Sequence, residues 1–208
     1  MTDHPITVGR VLRSSTAGFS FGCRVLREDV PEFGAFVKVA QGNIPSRGFS
    51  TQITGLIYDV QFVDDPLVRQ IISADPMPTE LRLDQSQRLA PIEISVLVVG
   101  YTRDGQVYQH LPPQPPATLD QIVTCAPDEV TAFTRQFTFL RTILNAQDAP
   151  ADELVAACLR LAAASRPEAE RHVFLLDAGR ELARLLSGDP VRLEGILQRL
   201  IPNQPPRR

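Results

Sequence analysis

From Thr7 to about His110, apolar residues recur at every second position. Phe19, Phe21, Cys23 and Val25 share one face, with Ser20, Gly22 and Arg24 between them. Leu56, Tyr58, Val60 and Phe62 alternate with Asp59 and Gln61, and Ile92, Ile94, Val96 and Val98 with Glu93 and Ser95. Leu97 and Val99 make the end of that last run apolar on both faces. Val8-Gly9-Arg10-Val11-Leu12 and Phe36-Val37-Lys38-Val39 supply two more strands. One-faced alternation predicts antiparallel strands around a core, not the wholly apolar strands of a doubly wound sheet. Asp104-Gly105 predicts a hairpin, because a type I′ turn needs positive φ. Pro66 after Asp64-Asp65 predicts a short helix carrying Leu67, Val68, Ile71 and Ile72. Five or six short strands with one helical insertion predict a small closed barrel, which removes exposed sheet edges.

After Pro127 the period changes. Val130, Phe133, Phe137, Leu140 and Leu144 form one helical stripe starting near Asp128. A second helix begins at Pro150 and buries Leu154, Cys158 and Leu161. A third opens at Ser165-Arg166-Pro167-Glu168, with capping-box spacing, and runs through Leu175, Leu182 and Leu186. Gly188 ends it, Asp189 caps the next helix, and Pro190 takes that helix's first position. The expected fold class is therefore α+β: a small antiparallel β-barrel followed by a C-terminal bundle of about four helices. The expected boundaries are 1–117 for the barrel, 118–127 for a proline-rich connection, 128–201 for the helical domain and 202–208 for a disordered tail.

Composition narrows the chemistry. The 208 residues are 43% hydrophobic and 22% charged, as in globular proteins. No apolar run approaches a membrane span, and the start lacks the basic-then-apolar pattern of a secretory signal. Three scattered cysteines favour a reducing, cytoplasmic setting. Residues 1–127 carry ten basic and thirteen acidic side chains, and 128–208 carry eleven of each. Neither half has the basic excess of a general phosphate-backbone binder. Arg10, Arg13, Arg24 and Arg27 cluster in sequence and are the candidate nucleic-acid residues, set against a solvated strand surface. Lys38 is the one lysine in the chain and lies in a strand pattern facing solvent. It belongs to no Gly-Lys-Ser/Thr loop, which excludes a P-loop.

Gly18-Phe19-Ser20-Phe21-Gly22 is a literal G-x-S-x-G. A nucleophile elbow needs a helix directly after the serine, but Cys23-Arg24-Val25-Leu26 continues the alternation. His4, His110 and His172 lie far apart and the cysteines form no C-x-x-C, so no metal site is expected. Cys23 and Cys158 read as core thiols. His172 and Glu168 have the spacing of a surface pair. Asp64-Asp65 reads as a helix N-terminus rather than a cation site. The P-x-x-P spacing in 112–116 reads as a stiff strap or, alternatively, a groove ligand. No dinucleotide loop is present and no cofactor is expected.

Four stretches stand in order: Val8-Gly9-Arg10-Val11, then Gly34-Ala35-Phe36-Val37-Lys38-Val39, then Ile53-Thr54-Gly55-Leu56-Ile57-Tyr58-Asp59-Val60, and last the exit Pro112-Pro113-Gln114-Pro115-Pro116 leading to Cys125-Ala126-Pro127-Asp128-Glu129-Val130. Together they resemble a HAS-barrel, the N-terminal barrel of HerA-type DNA-translocating ATPases, related to the barrels that open rotary ATP synthase subunits. The resemblance implies a barrel without catalytic residues that forms a collar on a hexameric ring and helps dock a nuclease. The chain departs from that family after the barrel, where helices without Gly-Lys replace the motor. The leading expectation is a non-catalytic assembly or interaction module. Its partner would be a ring ATPase, a nuclease or another copy of itself, with no direct nucleic-acid contact and no membrane. An OB-like nucleic-acid binder is the alternative, and hydrolase chemistry at Ser20 a third.

Overall fold

A computed structural model describes residues 7–25, 30–40, 51–62 and 90–200. The strands are β1 (Thr7–Ser14), β2 (Gly18–Val25), β3 (Phe36–Ala40), β4 (Thr51–Phe62), β5 (Ala90–Arg103), β6 (Gln106–Tyr108) and β7 (Gln121–Thr124). Their order is β2-β1-β7-β3-β4-β5, and β5 pairs back onto β2, so six antiparallel strands close a barrel. β5 is long enough to change partner. Its first half pairs with β2, and its last residues pair with β6 across the Asp104-Gly105 turn. Both turn residues have positive φ, 50° and 78°, as the hairpin signal requires. The strand β7 lies within the segment 118–127, which reads as a connection in sequence. Four residues with one buried apolar side chain, Ile122, carry too little alternation to announce a strand.

The barrel interior is filled by Val11, Phe21, Val37, Val39, Ile53, Ile57, Ile94, Val98 and Ile122, with their neighbours. The alternation of β2 and β5 predicts this correctly for Phe19, Phe21 and Cys23 and for Ile92 through Val98. On β4 it does not. Ile53 and Ile57 point inward, whereas Leu56 packs outward with Phe36 and Val99 under the helices. An irregularity in register between Ile57 and Asp59 shifts the alternation there.

Five helices follow among the described residues: α1 (Pro127–Phe133), α2 (Phe139–Leu144), α3 (Ala151–Ala164), α4 (Glu168–Leu185) and α5 (Pro190–Leu200). The single stripe expected from Asp128 is two helices. Its residues still face the core, but the backbone breaks after Phe133. Gln109 holds the break open: its Nε2 donates to Phe133 O (2.7 Å) and Gln136 O (2.8 Å), and its Oε1 accepts from Phe139 N–H (3.1 Å). The expected capping box at Ser165 is also absent. Its hydroxyl donates backwards to Leu161 O at 3.0 Å, closing α3 rather than opening α4. Asp189 does cap α5, accepting from Arg192 N–H at 3.0 Å.

Helix α3 is apolar nearly all round and touches the other four helices. It packs on β4, and α2 packs on β5. Gly34, at φ 85°, lies so near α3 that an added Cβ would fall 2.6 Å from Ala157 Cβ. The outward face of β3 meets α1, which corrects the solvent-facing reading of Lys38. Lys38 is largely covered and pairs with Glu129, whose other oxygen accepts from Ala126 N–H at 2.9 Å. The helix expected at Pro66, the Asp64-Asp65 pair, His4 and the tail 202–208 lie outside the described residues.

Candidate interaction surface

With the helices laid over β3, β4 and β5, the outward side of β1, β2 and β7 is the barrel face that the apolar helical layer does not use. Strand β1 sends Val8 and Val11 inward and Arg10, Leu12 and Arg13 outward. Leu12, 47% exposed, lies over Gly22 of β2. Leu119 lies in a turn closed by Asp120 N–H donating to Ala117 O at 3.1 Å. Its own N–H donates to Val11 O at 2.9 Å, which ties the turn to β1. Leu119 has φ 71° and is 64% exposed. A branched side chain in the left-handed region costs about 1–2 kcal/mol relative to the right-handed one. Exposure at this level returns little of that cost.

Two of the sequence candidates, Arg10 and Arg13, fall on this face. Arg10 donates to Leu119 O at 3.0 Å, and Arg13 pairs with Glu93 of β5. The Arg13 hydrogen bond holds the Glu93 carboxyl below its usual range. The Ser20 hydroxyl acts in the same direction, although its Oγ lies outside hydrogen-bond geometry. Arg24 is on β2 opposite Pro91, and Arg27 lies outside the described residues. Both described guanidiniums are thus engaged with the barrel's own acceptors.

Ser20 sits in mid-strand opposite Ser95, with β2 continuing to Val25, so there is no elbow. It lies in the floor of a groove of about 750 Å³. Ser95, Leu97, Tyr58, Leu111, Asn145 and Asp148 line it too. The lining offers hydroxyls, amides, one carboxylate and the Arg13 guanidinium. Neither His110 nor His172 reaches it: His110 packs edge-on against Tyr101 and Tyr108, and His172 is on α4. The surface pair expected of His172 and Glu168 does not form, though both are exposed.

Burial governs the thiols. Cys125 is pushed up to about 12 by desolvation, with Glu129's charge adding to it, and Cys158 is raised further by burial alone in the helical core. Both stay protonated at neutral pH, where the reactive form is the thiolate. Among the described residues no cluster of three His, Cys, Asp or Glu could hold a metal, and no helix is long and apolar enough to cross a membrane.

Sequence reading missed the aromatic group Tyr101, Tyr108 and His110. Tyr101 and Tyr108 stack at 5.0 Å, with Arg103 over Tyr101 at 5.6 Å. The hairpin register pairs Tyr101 with Tyr108, so counting outward from Asp104-Gly105 would have found them. Tyr101 is 6% exposed, and its neighbours occupy the ring faces that a stacking base would need. A scan against models of known protein families finds no match, and neither does a search of curated proteins.

Proposed function

We propose that the chain is a non-catalytic assembly module of HAS-barrel type. Its β1/β2/β7 face docks a ring ATPase, a nuclease or another DNA-processing protein. The observation that carries this reading is Leu119, an exposed leucine held at positive φ and bonded through its N–H to the carbonyl of Val11, the residue before exposed Leu12. Neither side chain gains much from the barrel's own packing, and together they offer an apolar centre rimmed by Arg10 and Arg13. That composition, an apolar core with arginine at the edge, is typical of docking sites. The filled barrel interior supports the same reading, because the strands enclose side chains rather than a ligand cavity.

The test is affinity capture from native extract with wild type and a Leu12→Asp/Leu119→Asn variant. Asn tolerates positive φ, so the variant should fold. The reading requires wild type to retain an ATPase or nuclease component that the variant loses. Retention of the same proteins by both would refute it.

A further inference from the structure

The outer face of α4 carries a second pattern, independent of the barrel. Phe174, Ala178 and Leu182 bury one side of the helix. On the opposite side Ala169, Val173, Leu176, Arg180 and Ala183 are all exposed, at successive spacings of four, three, four and three. That is the seam spacing of paired helices. Val173 and Leu176 are 58% and 47% exposed. Arg180 interrupts the seam, but Asp177 holds its head aside at 2.8 Å, leaving the aliphatic stem to cover apolar surface.

We propose that α4 pairs antiparallel with α4 of a second copy of this chain. The stripe complements itself when reversed. Leu176 meets Leu176 at the two-fold axis, Val173 meets the stem of Arg180, and small Ala169 meets small Ala183. Charge sets the direction. Glu170 and Arg184 lie on the same flank of the stripe at opposite ends of the helix. Antiparallel pairing brings each Glu170 to the other copy's Arg184, whereas parallel pairing would put the two like flanks on opposite sides of the seam and leave both residues without that partner. Glu170 is exposed, and Arg184 uses Nε and Nη2 on Glu181, leaving Nη1 for a second carboxylate. A seam of four turns falls below the roughly 1,200 Å² of a standard stable interface. The pairing is therefore reversible, with a dissociation constant on the order of 100 μM.

Sedimentation equilibrium of the full chain, up to several times that concentration, tests this. Wild type should show a monomer–dimer equilibrium. Leu176→Asp should weaken it by about tenfold or more, and Glu170→Arg and Arg184→Glu should each weaken it too. The Glu170→Arg/Arg184→Glu double variant should restore it. Matching unfolding temperatures would confirm that each variant is folded. A wild type that stays monomeric throughout overturns the proposal, and so does self-association that the double variant fails to restore. Barrel docking uses a different face, so either idea can fail alone.

Discussion

Arg166 is a buried guanidinium, 7% exposed, and the charge it carries is balanced by helix ends rather than by a contacting carboxylate. Its Nη1 donates to Ala162 O at 2.5 Å, in the last turn of α3. Its Nη2 donates to Thr134 Oγ1 at 2.7 Å and reaches Thr131 O and Thr134 O at 3.4 and 3.3 Å, at the end of α1. The plane stacks on Phe174 of α4 at 3.7 Å. One side chain thus satisfies orphan carbonyls of two helices, whose C-terminal dipoles favour a cation there. Replacing it by Met leaves those buried carbonyls without a donor, at about 1–3 kcal/mol each. It also removes a cation–π contact worth about 1–2 kcal/mol. Returning a buried charge to water offsets several kcal/mol of this, so the net loss for Arg166→Met is about 3 kcal/mol. At this chain length that lowers the unfolding temperature by roughly 6–12 °C. Arg166→Lys keeps the charge but not the planar fork and should recover less than half. Thermal unfolding and urea titration measure both. A loss below about 1 kcal/mol for Arg166→Met would refute the two-helix role, as would simple additivity with Thr134→Val, since contacting partners should couple.

Other consequences follow from the same contacts. Gln109→Leu removes three bonds across the α1–α2 break and should cost about 2 kcal/mol by urea titration. Glu93 is held below its ordinary value of 4.5 by Arg13, so its contribution is present above that value and lost as pH falls through the lower folded one. NMR titration should show the depression vanish in Arg13→Gln. Thiol reagent at pH 8 should label native Cys158 far more slowly than unfolded chain, and equal rates would contradict its burial. A labelled DNA single strand at low salt should not bind saturably. Salt-sensitive binding lost in Arg10→Ala would favour the nucleic-acid reading instead.

The barrel was legible because β2 and β5 alternate cleanly, and Phe21 and Ile94 find the interior that their period requires. Asp104-Gly105 and Asp189-Pro190 were equally plain, since their chemistry is local. What the chain hid is non-local. The α1 stripe continues through Phe137 in sequence, and only Gln109, some thirty residues earlier, shows why the helix stops. Lys38 looks solvated until α1 arrives with Glu129. Leu119 carries no signal at all, because nothing in Ala117-Thr118-Leu119-Asp120 marks its third residue for positive φ. The G-x-S-x-G string misleads in the opposite direction, as a motif whose surrounding strand denies it the elbow.

Photocrosslinking from the barrel face tests the docking assignment most directly. Benzoylphenylalanine would be placed in turn at position 12, at position 119 and, on exposed α5, at position 194. Docking through β1, β2 and β7 predicts that positions 12 and 119 capture the same ATPase or nuclease chain while position 194 does not. Adducts from position 194 alone, or none from the barrel positions, would contradict it.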